Sequence, residues 1–259
     1  MHMRHLIAGA VLLLGARAAM AQTPAELVAQ GDSLHVKMDP VQALAEYRSA
    51  LTKDSTDYEA LWKASREAVD LAEFDTDKAT QKAYYAEALG YARRAVAVDS
   101  TDAEGHFNLA RSLGRVALTL GAKDRVRYAK EIRHEALEAL KYDSLHAGAL
   151  HVLGRWNAEI MRLSGFSRFF AKTFLGAGIF NMASWDSAVY YMKRSVEVDS
   201  MRIVHHLDYA EILRDRDKGD DRAEAIKQLQ AVIDLPATDY NDKFYKQQAE
   251  RDLARLQKH

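Results

Sequence analysis

The sequence of 259 residues contains no cysteine. This absence excludes disulfide bonds, thiolate metal sites, a cysteine nucleophile and a lipid-modified cysteine. Proline is also scarce, with only Pro24, Pro40 and Pro236. Few prolines leave helices uninterrupted, and the abundant Ala, Leu, Glu, Arg and Lys residues lose little side-chain freedom in a helix. The composition therefore favours an all-α chain.

An excess of charge of one sign is missing too. Residues 1–21 carry two arginines and no acid, so the rest of the chain holds 34 basic and 37 acidic residues. Such a balance produces no field that would collect nucleic acid. We therefore expect no nucleic-acid partner.

Sequence patterns of catalysis and metal binding are absent as well. Gly176-Ala177-Gly178 lacks the later glycines of a phosphate-binding loop, and His134 is not followed by a second histidine four residues later. His205 and His206 are adjacent and point to different helix faces. No serine stands in a nucleophile-elbow phrase. We predict a non-catalytic protein with no cofactor and no metal.

An apolar run from Leu6 to Gly15 is too short to span a bilayer. It follows Arg4 and precedes Ala19-Met20-Ala21, which places small residues where a signal peptidase cleaves. We expect a signal peptide over 1–21 and a mature domain over 22–259. The protein would then be exported, periplasmic or secreted, with no integral membrane segment after cleavage. An uncleaved N-terminal tether is the alternative.

A short phrase recurs along the rest of the chain. Each copy follows an apolar helical stretch and precedes another, and Asp and Ser favour turns and helix caps. The phrase therefore marks four repeat boundaries. Its copies are Lys53-Asp54-Ser55, Val98-Asp99-Ser100, Tyr142-Asp143-Ser144 and Val198-Asp199-Ser200.

Small residues recur at fixed offsets from the serine of this phrase, which lets successive helices approach closely. Ten residues after it stand Ser65, Ala110, Gly154 and Ala210, and five before it stand Ala50, Ala95, Ala139 and Ser195. The pattern resembles the tetratricopeptide repeat. We predict an all-α, tetratricopeptide-like solenoid of helical hairpins with about five repeats. An apolar segment is inserted in repeat four, and a C-terminal helix over 241–256 caps the stack.

A more specific resemblance, over roughly residues 105–255, is to the regulator of microtubule dynamics family. It rests on residues 151–156, which read His-Val-Leu-Gly-Arg-Trp, then Glu159, Arg168, Phe174-Leu175-Gly176, and Ala188 with Val198-Asp199. Animal members are associated with microtubules and with membrane contacts. After Gly176 the chain differs from the family pattern, because residues 177–180 replace a proline-containing segment. For this chain the resemblance implies the fold and the groove.

The geometry of such repeats implies that the first helix of each repeat lines a concave groove. One predicted groove row is apolar or aromatic and includes Trp62, Phe107 and His151; the neighbouring row holds Arg66, Arg111 and Arg155, with Arg115 and Glu159 on the same face. Guanidinium groups bind carboxylate or phosphate bidentately, which would make an anion site. The alternative is pairing with internal acids, since Glu159 follows Arg155 by four positions and Asp70 follows Arg66 by four.

The inserted segment, over 164–183, is rich in phenylalanine at spacings close to one helix face. It contains Phe166, Arg168, Phe169, Phe170 and Phe174. Three hypotheses stay open: a helix that packs over its own repeat, a lid over the groove, and a segment that enters a membrane surface.

The sequence thus predicts an exported binding or scaffold protein whose concave groove holds a peptide or a partner protein. A carrier or sensor of an anionic lipid or apolar acid, enclosed by the insertion, is the alternative. A microtubule-associated role, as in the animal members of the family, comes third.

Overall fold

The computed structural model describes residues 22–163 and 178–258. Its helices begin next to the capping residues of the sequence. Thr23 and Glu26 form a reciprocal capping box at the first helix. The side chains of Asp57 and Asp102 accept hydrogen bonds from the first turns of two later helices. The predicted signal peptide, residues 1–21, lies outside the described residues.

Within these ranges the chain is helical, with eleven α-helices, one short 3₁₀ helix and no strand among the described residues. The α-helices are α1 (Pro24–Val36), α2 (Pro40–Lys53), α3 (Tyr58–Glu73), α4 (Lys78–Val98), α5 (Ala103–Ala117), α6 (Ala122–Tyr142), α7 (Ala147–Arg162), α8 (Trp185–Val198), α9 (Ile203–Arg216), α10 (Asp221–Asp234) and α11 (Asp242–Leu256), and the 3₁₀ helix is Gly178–Met182.

These helices stack as five hairpins followed by a cap. Each odd-numbered helix from α1 to α9 packs on the even-numbered helix after it, and α2, α4, α6 and α8 each pack on the next hairpin. The last helix, α11, packs on α9 and α10. The predicted solenoid of five repeats with a C-terminal cap is confirmed.

The small residues lie where the helices meet. Ser65, Ala110 and Gly154 are buried, and a β-carbon added to Gly154 would lie 3.1 Å from the backbone nitrogen of Met192 in α8. Side chains of ordinary size at these positions would force the helices apart. The register predicted from the serine offsets is therefore correct.

The Asp-Ser phrase performs the same local task four times. Asp54, Asp99, Asp143 and Asp199 each follow the last residue of a helix, and each carboxylate accepts a hydrogen bond from the backbone N–H two residues later. This turn ends the outer helix and directs the chain back into the next inner helix.

The repeats are longer than the typical unit of about 34 residues, mainly because of their second helices. α4 and α6 have 21 residues each, against 14 in α2 and 14 in α10. The inner helices α3 and α5 have 16 and 15.

Candidate functional site

The inner helices α3, α5, α7 and α9 surround a cavity of about 1270 Å³, which segment 239–248 also lines. All eight residues that the sequence placed in the groove line this one cavity: Trp62, Arg66, Phe107, Arg111, Arg115, His151, Arg155 and Glu159. The corresponding residues of the first repeat, Val28 and Asp32, lie outside its wall. The predicted rows thus come together from the second repeat onward.

The aromatic row forms part of the cavity wall. Gly148 makes room for the Phe107 ring, since a β-carbon there would lie 2.5 Å from that ring. The His146 ring also contacts the Phe107 ring, and their centroids are 4.7 Å apart. Trp62 has Arg66 over its ring, 5.3 Å from the centroid. These contacts hold the Phe107 and Trp62 rings in place in the wall.

The arginines of the predicted row are paired with carboxylates, on a neighbouring helix or on their own. Arg111 Nη2 donates to Asp70 Oδ1 at 2.5 Å, and Arg115 pairs with Glu73 in the same helix, α3. Arg66 donates to Glu67 at 2.8 Å. The side chains of Arg66 and Arg111 are 18% and 17% exposed, so the guanidinium groups that the sequence row predicted are largely occupied by the protein itself.

Arg155 pairs with carboxylates of the following inner helix, whereas Arg111 and Arg115 pair with those of the preceding one. Its Nη1 donates to Asp208 at 2.8 Å and to Glu211 at 3.0 Å, both in α9, and its Nη2 donates to Glu159 at 3.3 Å. His151 Nε2 lies 2.6 Å from the second oxygen of Asp208. Burial disfavours ionised Asp208, but Arg155 and His151 outweigh it and hold the pKa of Asp208 well below its usual range.

The sequence left two alternatives for the arginine row, an anion site or pairing with internal acids, and the structure contains the internal pairs. One of the partners differs from the expectation. Arg155 does pair with Glu159. Asp70 pairs with Arg111 of the next repeat rather than with Arg66. A signal for this was present: four residues after Arg66, Arg111 and Arg155 stand Asp70, Arg115 and Glu159, whose alternating charges favour pairing between successive repeats.

The C-terminal segment closes the superhelix against α3. Asn241 Nδ2 donates to the carbonyl oxygen of Asp70 at 3.0 Å. The rings of Phe74 and Phe244 stack with centroids 4.6 Å apart, and Tyr245 meets Phe74 edge-on at 5.4 Å. This closure contact places α11 on the rim of the cavity that the predicted concave groove forms.

Asp70 lies at this closure contact and has an unusual charge balance. It is 3% exposed. Burial raises the pKa of Asp70 to about 6, and the like charges of Asp239 and Glu67 add to that effect, while Arg111 opposes it. A proton can therefore bind here near physiological pH.

The family model of regulator of microtubule dynamics proteins 1-3 matches residues 27–257. The chain belongs to this family. The match extends the resemblance, which the sequence placed at 105–255, over the first two repeats.

Curated relatives in the regulator of microtubule dynamics family agree with the match. Regulator of microtubule dynamics protein 1 of Bos taurus is 26% identical over 178 residues, 67% of this chain and 54% of that protein. The Mus musculus protein is also 26% identical over 178 residues, 67% of this chain and 56% of its own length. The chain thus spans about half the length of the curated relatives that it matches.

Solved structures show the same fold for this family member. A thermophilic tetratricopeptide-repeat protein of Thermus thermophilus superposes with a TM-score of 0.62, at 16% identity, covering 88% of this chain and 100% of that one. PilF of Pseudomonas aeruginosa gives 0.52 at 14% identity, covering 90% and 91%. At such identities the likeness concerns the fold alone.

Histidines six residues after the repeat serine have a structural role in this family member. His106 Nε2 lies 3.1 Å from the Ser100 carbonyl oxygen, and His206 Nε2 lies 2.9 Å from that of Ser200. His205 instead faces the cavity wall, with its ring 5.0 Å from that of His151. Burial, with neighbouring His151, lowers the pKa of His205 well below its usual value, so this ring is neutral.

The insertion is described only at its C-terminal end. Phe180 is 9% exposed and lines the cavity, while Met182 is 56% exposed. The other predicted lid residues, Phe166, Arg168, Phe169, Phe170 and Phe174, lie outside the described residues. The three hypotheses for this segment stay predictions.

Neither a metal site nor a membrane span is found among the described residues. Across 22–163 and 178–258, no group of three or more His, Asp or Glu side chains is arranged to hold a metal ion. In the same part of the chain no helix is both long and apolar enough to cross a membrane.

Proposed function

We propose that this protein is a non-catalytic binding protein that holds an extended segment of a partner protein in its central cavity. The observation that carries the proposal is the convergence of all eight predicted groove residues on one cavity. A tetratricopeptide-like fold supports a scaffold role, because its curved inner surface is used for binding.

The size of the cavity supports a peptide as the occupant. Pockets for small molecules measure about 300–1,000 Å³, and this cavity is larger, at about 1270 Å³. Its wall contains both aromatic rings and polar groups, which suits a chain with varied side chains. Because Arg66, Arg111 and Arg155 are paired with acids, recognition of a peptide carboxylate by this row is not favoured.

A cavity-filling variant tests the proposal. Gly114 of α5 lines the cavity, and a β-carbon added there meets nothing within 4 Å, so Gly114→Trp is chosen to introduce an indole at the cavity wall. Gly90 of α4 is exposed and equally unhindered, and Gly90→Trp is the matched control.

The measurement is a selection of random 12-residue peptides displayed on phage against the purified protein. We expect peptides that bind wild type and Gly90→Trp but not Gly114→Trp. The absence of any peptide with this dependence would refute the proposal.

A lipid or apolar acid is the second candidate, and one observation favours it. Near the ends of α5 and α7 the cavity wall is apolar, formed by Val126, Ile132, Trp156, Ile160 and Phe180. An acyl chain would bury its surface there. Native mass spectrometry of the protein as purified would show a bound lipid that Gly114→Trp lacks; protein without lipid in both forms would contradict this candidate.

A microtubule-associated role, which the name of the animal relatives suggests, is the third candidate. Co-sedimentation with purified microtubules tests it, with bovine serum albumin as the negative control. Recovery of the protein in the supernatant at micromolar tubulin would contradict it.

We also propose that the protein is exported to the periplasm or secreted. Mass spectrometry of the protein isolated from its native cell would then give Gln22 as the N-terminal residue. An intact N-terminus in the membrane fraction would instead favour the uncleaved tether.

A further inference from the structure

The central cavity runs from one edge of the helical stack to the other. Loops between hairpins lie at one edge, and Leu145, in the loop between α6 and α7, lines the cavity there. Loops within hairpins lie at the opposite edge, where Leu118, directly after α5, lines it too. Both side chains are more than half exposed, so solvent reaches the cavity from both edges. The inner helices and the closure contact therefore form a ring around a passage.

A ring of this kind restricts what can enter it. A free chain end can thread the passage from either edge, but an internal segment of a folded partner can enter only sideways, through a gap in the ring. Each hairpin packs on the next one along the chain. The closure contact between α3 and the C-terminal cap is therefore the place where such a gap can form.

The cavity wall is poorly suited to a chain end, because its charged groups are already paired. Each of the six arginines in the described wall donates to a group of the protein, so a C-terminal carboxylate would find no free guanidinium there. Asp70, Glu73 and Asp208 are each ion-paired with an arginine, so their charges are not free for an N-terminal ammonium. An internal segment brings no terminal charge and needs no such partner.

The closure contact is made by a few side chains. The rings of Phe74 and Phe244 stack, and Tyr245 meets Phe74 edge-on. Asn241 donates to the carbonyl oxygen of Asp70, which lies in the last turn of α3, where carbonyl groups lack a partner within the helix. Away from this contact, α3 packs on α2, α4 and α5, and α11 packs on α9 and α10. Separation at the contact would leave both helices packed in their own ends of the stack.

The same contact contains polar atoms that favour its opening. Asp70 Oδ2 and Asn241 Oδ1 are buried and make no hydrogen bond within the described structure. A polar atom without a partner opposes its own burial, and separation of α3 from the cap would let water reach both atoms. Since each hairpin contacts only its neighbours, small rotations between hairpins add up along the stack and part its two ends. The contact can therefore open without the unfolding of a helix.

We propose that the cavity receives an internal segment of the partner protein, and that the closure contact opens to admit this segment and closes behind it. This inference rests on the proposed function, the binding of an extended segment in the cavity. The paired charges of the wall disfavour a chain end, and the closure contact supplies the gate that an internal segment requires.

The probe is the strongest selected peptide whose binding is lost in Gly114→Trp. It is made in two forms: a linear peptide with free ends, and a dumbbell, in which flexible Gly-Ser spacers join each end to a folded ubiquitin domain. Only the linear form can thread the ring. Wild type should bind both forms, and the dumbbell should associate about tenfold more slowly, because its binding must wait for a conformational change. Biolayer interferometry measures both association rates.

A covalent bridge across the gate tests whether opening is required. Because the chain has no cysteine, the double variant Phe74→Cys with Phe244→Cys carries only the two introduced thiols. A bismaleimide joins α3 to α11 through them, and the same variant treated with N-ethylmaleimide is the matched unbridged control. The bridged protein should bind the linear peptide as the control does, and it should not bind the dumbbell. Mass spectrometry verifies the bridge.

A second variant needs no bridge. Phe244 lies outside the cavity wall, and Phe244→Ala removes the ring that stacks on Phe74. This variant should speed the association of the dumbbell and leave that of the linear peptide unchanged. Tyr190→Ala, at an exposed position of α8, is the matched control and should change neither rate. This comparison keeps the inference testable even if the double variant does not fold.

The outcomes separate the inference from the proposed function. A dumbbell that binds the bridged protein as well as the unbridged control would overturn the gate. Wild type that binds the linear peptide but not the dumbbell would overturn entry of an internal segment and leave peptide binding intact. Equal association rates of the dumbbell with wild type and Phe244→Ala would also count against the gate. A selection that yields no cavity-dependent peptide would overturn both the function and the inference.

Discussion

Replacing Gly154 tests how closely α7 and α8 must pack. A β-carbon at this position would lie 3.1 Å from the Met192 backbone nitrogen and 3.2 Å from the Met192 β-carbon, so the neighbour can yield only if the helix moves. Overpacking of this kind costs about 1–3 kcal/mol, while leaving glycine gains about 1 kcal/mol of helix propensity. Gly154→Ala should therefore change stability little or lower it by up to about 2 kcal/mol.

Gly154→Leu adds three further carbons against the same backbone and should cost at least about 3 kcal/mol. The control is Gly114→Ala in α5, where nothing lies within 4 Å of an added β-carbon, and which should stabilise by about 1 kcal/mol. In a chain of this size 1 kcal/mol corresponds to about 2–4 °C in Tm. Differential scanning calorimetry should rank the control highest and Gly154→Leu lowest. Equal Tm values for Gly154→Leu and wild type would refute the close packing.

Three more predictions concern the cavity. Because burial raises the pKa of Asp70 to about 6, the folded state holds that proton more tightly than the unfolded state does; the stabilisation is complete below about pH 4 and lost by pH 6 and above. Between pH 4 and pH 6, the free energy of unfolding of wild type, measured in urea, should fall by on the order of 1–3 kcal/mol relative to that of Asp70→Asn. Equal pH dependence of the two proteins would contradict this. Phe74→Ala removes the ring that stacks on Phe244 at 4.6 Å and should speed amide hydrogen exchange in α11 but not in α10; unchanged exchange would disprove the closure. Asp208→Asn replaces the carboxylate that Arg155 contacts at 2.8 Å and should lower the free energy of unfolding by about 3 kcal/mol. Wild-type stability in a urea titration would contradict this.

The hairpins and their register could be predicted because they depend on local chemistry. Asp54 and Asp99 end helices by accepting a backbone hydrogen bond two residues later, and this needs no distant partner. Ser65 and Ala110 are small because an adjacent helix crosses there. Each repeat contains both signals, so four copies reinforce one another.

The closure of the superhelix could not be predicted from the same signals. It joins Asp70 to Asn241, which are 171 positions apart. Its existence depends on the rotation between successive hairpins summed over the whole stack, and no residue pattern within one repeat encodes that sum. The repeat pattern therefore predicts a concave groove but not the contact that joins the end of the stack to α3.

The partners of the arginines illustrate a second limit. The row of Arg66, Arg111 and Arg155 was visible, but Arg111 turns to α3 and Arg155 turns to α9. Spacing along one helix gives candidates four residues away, whereas most of these partners belong to the neighbouring repeat.

Photo-crosslinking tests most directly whether the cavity holds the partner. Benzoylphenylalanine replaces Leu118, which lines the cavity and is 56% exposed, or Tyr190, which lies on α8 outside the cavity wall and is 60% exposed. A peptide selected against wild type should crosslink to the protein labelled at Leu118 and not to the one labelled at Tyr190. Equal crosslinking at both positions, or crosslinking at Tyr190 alone, would contradict binding in the cavity.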